Sequence, residues 1–177
     1  ELFIESKVQS ERNNILYAYG EVIVKFKGNI LKADSLEYNK KTKFAKAEGN
    51  IQIKINNQIF HADMVEYDFV KKKANVKNIK GLINSETIIS DFNFNLNSFN
   101  QNLVSTIHRI QKDKVIFSPN KVSKWIFSTD SLKFDKNKWS SKKAFFTNDL
   151  LATNQIKIQF NDLTIYSEKE KLNFKSK

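Results

Sequence analysis

An all-β fold assembled from stacked two- or three-strand units is predicted by three features: an ungapped internal repeat, period-two alternation of apolar and polar residues within each copy, and turn-forming residues between the alternating runs. The repeat appears when Ala18–Lys46 is laid over Ala47–Asn75, a shift of 29 residues. It pairs Ala18 with Ala47, Gly20 with Gly49, Val22 with Ile51, Val24 with Ile53, Phe26 with Ile55 and Ile30 with Ile59. Farther along it pairs Ala33-Asp34 with Ala62-Asp63, Glu37-Tyr38 with Glu66-Tyr67, and Ala45 with Ala74.

In the first copy Gly20, Val22, Val24 and Phe26 alternate with Glu21, Ile23, Lys25 and Lys27; in the second, Gly49, Ile51, Ile53 and Ile55 alternate with Asn50, Gln52, Lys54 and Asn56. Successive strand side chains point to opposite faces, so each run reads as a strand with one buried face. Turn signals follow at Lys27-Gly28-Asn29 and Asn56-Asn57-Gln58, then short strands over Ala33–Tyr38 and Ala62–Tyr67, ending in turn-prone Asn39-Lys40-Lys41 and Asp68–Lys72. Each copy is a unit of two or three strands, too small to fold alone, and must bury its apolar face on its neighbours. A helical solenoid is disfavoured because no apolar positions recur at three- and four-residue spacing.

Strands are expected to continue to the end of the chain. Thr129-Asp130-Ser131-Leu132-Lys133-Phe134-Asp135 echoes Ala33–Asn39, Lys112–Ser118 echoes it more loosely, and further alternating runs lie at Phe92–Leu96, Ala144–Phe146, Ile156–Phe160 and Leu163–Tyr166. Leu103, Ile107 and Ile110 fit one side of a short helix, whereas Val104, Thr106, His108 and Ile110 fit a strand, and both readings stand over 97–112. Pro119 marks a turn or a sheet edge. No linker rich in Gly, Ser or Pro divides the chain, so residues 1–177 are read as one β domain, with clear repeats over 15–80 and a diverged continuation over 81–177.

With 40% apolar and 28% charged residues and a mean hydropathy of -0.51, the chain can build a real core, and it has no run long enough for a membrane-spanning helix. Its first residues show neither the basic start nor the apolar stretch of a signal peptide and say nothing about export. Zero cysteines exclude disulfides, thiolate metal sites and thiol catalysis. The net charge of +11 points to an anionic partner or simply to solubility. Arginine occurs only at Arg12 and Arg109, and base and phosphate recognition favours the arginine fork, which disfavours nucleic acid as a partner.

No catalytic, metal or cofactor site is expected. His61 and His108 are the only histidines and have no further ligands at metal-site spacing, so each is assigned a structural or surface role. Asp34, Asp63, Glu37 and Glu66 recur once per copy, which suits a turn or strand-end role such as a hydrogen bond to backbone N–H groups better than acid-base chemistry. Tyr38 and Tyr67 read as aromatics at the core edge, each with its hydroxyl in a polar rim.

The pattern Ala18-x-Gly20-x-Val22, Leu31-Lys32-Ala33-Asp34-x-Leu36-x-Tyr38, Ala47-x-Gly49-Asn50-Ile51, Phe60-His61-Ala62-Asp63-x-Val65-x-Tyr67 resembles the OstA-like repeat. That repeat is found in the periplasmic bridge protein of lipopolysaccharide transport and in the N-terminal domain of the outer-membrane lipopolysaccharide translocon. Trp125–Asp130 and Ala144–Asp149 look like the continuation in translocon proteins, particularly the cyanobacterial type.

The resemblance implies a β-jellyroll: two antiparallel sheets folded in a V around an apolar groove that shields acyl chains, in the periplasm and associated with the outer membrane. On that reading Val22, Val24, Phe26, Leu36, Tyr38, Ile51, Ile53, Ile55, Val65 and Tyr67 line the groove. Small residues beside them, Ala18, Gly20, Ala45, Ala47 and Gly49, leave a slot; the alternative is that they allow close packing or a bend. The implied partners are lipopolysaccharide or a related glycolipid, neighbouring OstA-like proteins joined by strand-edge pairing, and an outer-membrane barrel in the same full-length chain. The 177 residues include neither such a barrel nor the cysteines that tie domain to barrel in some members. The competing expectations are a lipid-free scaffold that assembles through its edges and, more remotely, a basic nucleic-acid binder.

Overall fold

The computed structural model describes residues 2–85, 87–91, 124–135, 138–148, 156–168 and 171–176. The expectations for Phe92–Leu96, 97–112 with His108, Lys112–Ser118 and Pro119 lie outside the described residues. In chain order the strands are β1 (Leu2–Glu5), β2 (Val8–Arg12), β3 (Ile15–Phe26), β4 (Asn29–Asn39), β5 (Phe44–Ile55), β6 (Gln58–Asp68) and β7 (Lys73–Asn84). A single helical turn, α1 (Ile88–Asp91), follows, and then β8 (Lys124–Asp135), β9 (Lys138–Thr147), β10 (Lys157–Glu168) and β11 (Lys171–Lys175).

The strands form one 11-stranded antiparallel sheet in the order β1-β3-β4-β5-β6-β7-β8-β9-β10-β11, with β2 also paired to β3. β1 and β2 take successive halves of β3, Ile23–Phe26 and Ile15–Tyr19, and so act as one interrupted edge strand. The interruption is bridged by Lys7 N donating to Gly20 O at 3.0 Å. The all-β prediction holds, and each repeat is a two-strand unit. The expected short strands are in fact the long β4 and β6, because their first halves pair fully with the preceding strands. Gln58, expected in a turn, is the first residue of β6.

Bulges cross the middle of the sheet, with register shifts between Tyr19 and Val22, between Lys32 and Ser35, and between Glu48 and Ile51. The left-handed backbone this requires falls at Gly20 and Glu21 in β3, Gly49 and Asn50 in β5, Asn78 in β7 and Asp162 in β10. Bulges bend the strand that carries them, and a row of them in register makes a fold line across every long strand.

Ring contacts show how far the sheet folds. Phe26 lies opposite Asn29, whereas Tyr38 lies opposite Leu16 at the far end of the same hairpin. On a flat sheet ten residues separate them along β3, roughly 33 Å. Yet both rings meet Phe69, with centroids 5.0 Å from Phe26 and 5.9 Å from Tyr38. Toward the other end of the sheet, Phe146 lies opposite Ile158 and Phe174 opposite Ile165, roughly 23 Å apart if flat. Their centroids are 6.4 Å apart. The two halves of each strand therefore face one another as a V, consistent with the β-jellyroll. Its two walls are halves of one continuous sheet and not two separate sheets.

The inner face changes phase at the fold line. Leu31 and Ala33 face inward before it on β4, and Leu36 and Tyr38 after it, leaving Asp34 and Ser35 together on the outside. The same switch separates Ala62 from Val65 on β6, Val76 from Ile79 on β7, Thr129 from Leu132 on β8 and Ser141 from Ala144 on β9. Buried apolar residues on both sides of the line merge into one core that runs the length of the sheet from Ala18 and Val22 to Leu163.

Candidate functional site

The inner face is packed unevenly from fold line to strand ends. At the fold line Ala18, Val22 and Ile51 are fully buried, and Ala33, Leu36, Ala47 and Ala62 nearly so. Toward the strand ends Val24, Leu31, Ile53 and Ile55 pack on this core while remaining half-buried, as does Val65 beside Ala47. The V is thus filled at its base and lined by partly accessible apolar side chains at its mouth.

All ten residues expected to line a groove face this interior, but they divide into two zones. Val22, Leu36 and Ile51 lie at the filled base. Val24, Phe26, Tyr38, Ile53, Ile55 and Tyr67 lie toward the mouth, and Val65, in register with Leu36 and Ala47 at the base, is half-buried. The small residues do not hold a slot open where they stand. Ala18 and Ala47 are packed shut, and Gly20 and Gly49, with φ of 72° and 80°, make the bend. The bend reading accounts for the glycines.

One lip of the mouth carries the turns at Lys27-Gly28 and Asn56-Asn57; the other carries those at Asn13-Asn14, 40–43 and 69–72. Phe69, in the β6–β7 turn, reaches across. Besides Phe26 and Tyr38 it meets Tyr67 edge-on at 4.6 Å. The sequence marked this turn but not its aromatic residue. Burial, and then the negative charge of Asp68, raises the Tyr67 hydroxyl above its ordinary pKa. Asp68 is held below the usual carboxylate range, chiefly by the backbone N–H of Lys71.

A second closure lies behind β7. Gln58 is fully buried on the inner face, where its Oε1 accepts from Asn84 N at 2.9 Å and its Nε2 donates to Thr87 Oγ1 at 3.1 Å and Asp91 Oδ2 at 2.5 Å. Thr87 Oγ1 donates to the same carboxylate oxygen at 2.7 Å, and Asn56 Nδ2 donates to Asp91 O at 3.3 Å. These bonds fasten α1 to the first lip, with Ile88 packed on the core.

The repeated acids serve the fold line. Asp34 Oδ2 accepts from Asn50 Nδ2 at 2.7 Å and Asp63 Oδ2 from Asn78 Nδ2 at 2.6 Å, each asparagine having the left-handed backbone of a bulge. The partners are side-chain amides, not the backbone N–H groups expected, because the phase switch turns both acids outward beside the bulge of the next strand. Glu66 accepts from Asn75 at 3.1 Å, and His61 is exposed. Among the described residues no group of three His, Cys, Asp or Glu is placed to hold a metal. No helix among the described residues is long and apolar enough to cross a membrane.

Among the described residues the two ends of the sheet are open: β1 and β2 border one side, and β11 covers Thr164–Glu168 of β10 on the other, which allows edge pairing.

Comparison with known protein families agrees with this geometry. The model of a family described as OstA-like protein matches residues 1–114, and one described as protein of unknown function (DUF3769) matches residues 119–174. No curated protein matches the chain. The OstA-like family is associated with lipopolysaccharide and organic-solvent transport and is typically linked to the periplasm and outer membrane. A bent meander with an inner apolar face, together with a family match over well over half of its length, establishes that this chain belongs to the OstA-like family.

Proposed function

We propose that this domain is a non-catalytic periplasmic carrier that shields the acyl chains of lipopolysaccharide or a related glycolipid and passes them toward the outer membrane. The observation that carries this reading is the apolar lining of the V, packed at its base and half-exposed toward the ends of β3, β4 and β5, while Gln58 and Phe60 on β6 and Phe127 on β8 are buried at the same level. Val24, Ile53 and Ile55 toward one lip and Tyr38 and Tyr67 toward the other stay partly open, as facing sides of a lined mouth would. Each methylene removed from water contributes roughly 0.8 kcal/mol, so several chains would escape to water very slowly and would move instead between similar grooves set end to end. The open edges suit such stacking, because another OstA-like domain can add a strand to β1–β2 or β11 and extend the mouth. The same stacking fits a translocon domain joined to a barrel, and the whole chain acts as one domain in this account.

Photocrosslinking groups placed at Val24, Ile53 and Tyr67 in cells that make lipopolysaccharide should capture it, whereas the same group at outward-facing Lys32 should not. Equal capture at all four positions, or none at any, rules the carrier reading out. Absence of lipid combined with end-to-end oligomers in sedimentation favours the scaffold reading.

A further inference from the structure

The hairpin tips of the second lip repeat as regularly as the strands. Lys40 N donates to Asn14 O at 2.8 Å and, 29 residues later in both partners, Phe69 N donates to Lys43 O at 3.0 Å. Asn39 Oδ1 accepts from Lys41 N and Thr42 N at 3.0 and 2.9 Å, and Asp68 Oδ1 accepts from Val70 N and Lys71 N at the same two distances, 3.0 and 2.9 Å. The tips are therefore fixed structures tied to one another along the lip.

A third feature recurs at the same spacing. Asn14, Lys43 and Lys72 have φ of 63°, 57° and 55°, the left-handed backbone. Asparagine is among the residues that best tolerate this conformation, and the first tip uses it; lysine has no such advantage. The backbone does not require lysine at the next two tips, and the same exchange occurs on the first lip, where left-handed Lys27 is matched 29 residues later by left-handed Asn56. Pairing within the protein does not explain it either. Lys40, Lys71 and Lys73 on this lip pair with Glu11, Asp68 and Asp135, whereas Lys41, Lys43 and Lys72 make no ion pair among the described residues. Lys43, whose carbonyl accepts from Phe69 N, and Lys72 in the same turn lie beside Phe69, the ring that spans the mouth, and Val70 next to it is 69% exposed.

We infer that Lys41, Lys43 and Lys72 form a cationic rim that binds the phosphate groups of an anionic lipid headgroup while its chains lie in the mouth behind Phe69. The inference rests on the carrier reading and assigns it a headgroup site. Lysine suits this task, since a compact ammonium on a flexible stem can follow a phosphate through several positions without the fixed geometry of a guanidinium. A basic side chain at an anionic lipid surface adds enough attraction that removing two should weaken binding about tenfold or more. The remaining explanation, mutual repulsion between tips for solubility, makes no distinction between lipids.

The test is the double variant Lys43→Asn/Lys72→Asn, which places at both tips the residue already found in the first. The probes are bis-phosphorylated lipid A and the same lipid without phosphate, with inorganic phosphate as competitor. The variant should bind the phosphorylated lipid about tenfold more weakly, bind the phosphate-free lipid as wild type does, and melt at or above the wild-type temperature. Unchanged binding of both lipids, or equal loss for both, overturns the inference. Full competition by millimolar inorganic phosphate overturns the headgroup assignment in favour of a free-anion site. If wild type fails to bind even the phosphate-free lipid, the carrier reading falls and the rim with it; if wild type binds both lipids equally, the rim alone falls.

Discussion

Gln58→Leu is expected to destabilise the protein by about 3 kcal/mol, with the loss read as a lower denaturant midpoint at unchanged slope. Leucine nearly preserves the volume, so the result reports hydrogen bonding and not a cavity. Gln58 is fully buried and its amide serves Asn84, Thr87 and Asp91 at once. Removing it deprives the half-buried Asn84 backbone N–H of this acceptor and leaves the Asp91 carboxylate with a donor fewer beside an apolar side chain. Each buried polar group deprived of its partner costs about 1–3 kcal/mol, and more where one is charged. The local consequence is as telling as the global one: the Ser85–Asp91 segment should become the preferred site of limited proteolysis. A substitution that leaves both stability and cleavage pattern unchanged means that this network does not close the first lip.

Gly49→Ala is expected to cost about 3 kcal/mol, against about 1 kcal/mol for Gly20→Ala, although both glycines occupy the same place in the repeat. Both have positive φ and pay the left-handed penalty alike. They differ in what an added methyl would meet. At Gly20 the nearest atoms belong to the Lys7 side chain at 3.4 Å, whereas at Gly49 the Asp34 carboxylate oxygen lies at 2.5 Å and its Cβ at 2.9 Å. Asp34 would have to move and release Asn50, whose bond holds the bulge. Paired denaturation curves check the difference directly; equal costs would show that the fold line does not depend on the Asp34–Asn50 clamp.

The fold was legible because burial of one face imposes alternation on a strand, and the repeat preserved it. Gly20 and Gly49 were read first as leaving a slot, with close packing or a bend as the alternative, and the bend in β3 and β5 is what they make. The bend in β7 was hidden, since Gly49-Asn50-Ile51 is matched there by only Asn78-Ile79, one residue shorter, and an ungapped comparison stops before it. The phase switch was not legible: the short strand was read from Ala33 to Tyr38, although Ala33 has the opposite parity to Leu36 and Tyr38, and Leu31 was left outside it. Asp34 and Asp63 were recognised as structural, yet their partners sit in the next strand, where only the folded register places them.

For the site, the inner residues were legible from polarity, but their division into a filled base and half-buried strand ends was not, because it depends on the bent sheet and on what covers each strand end. Phe69 lay in a turn by every local signal. Its role appears only when the two strand ends face each other. Gln58 likewise looked like a turn residue, since a single amide carries no mark of the segment that will cover it.

The most direct test is the distance between spin labels at Lys27 and Val70, which flank the Phe26–Phe69 contact from opposite lips. The V-shaped carrier predicts a single short distance in the lipid-free protein and a longer one, wider by about an acyl chain, once lipopolysaccharide is bound. A distance that stays the same while lipid binds would place the lipid outside the mouth and contradict the account.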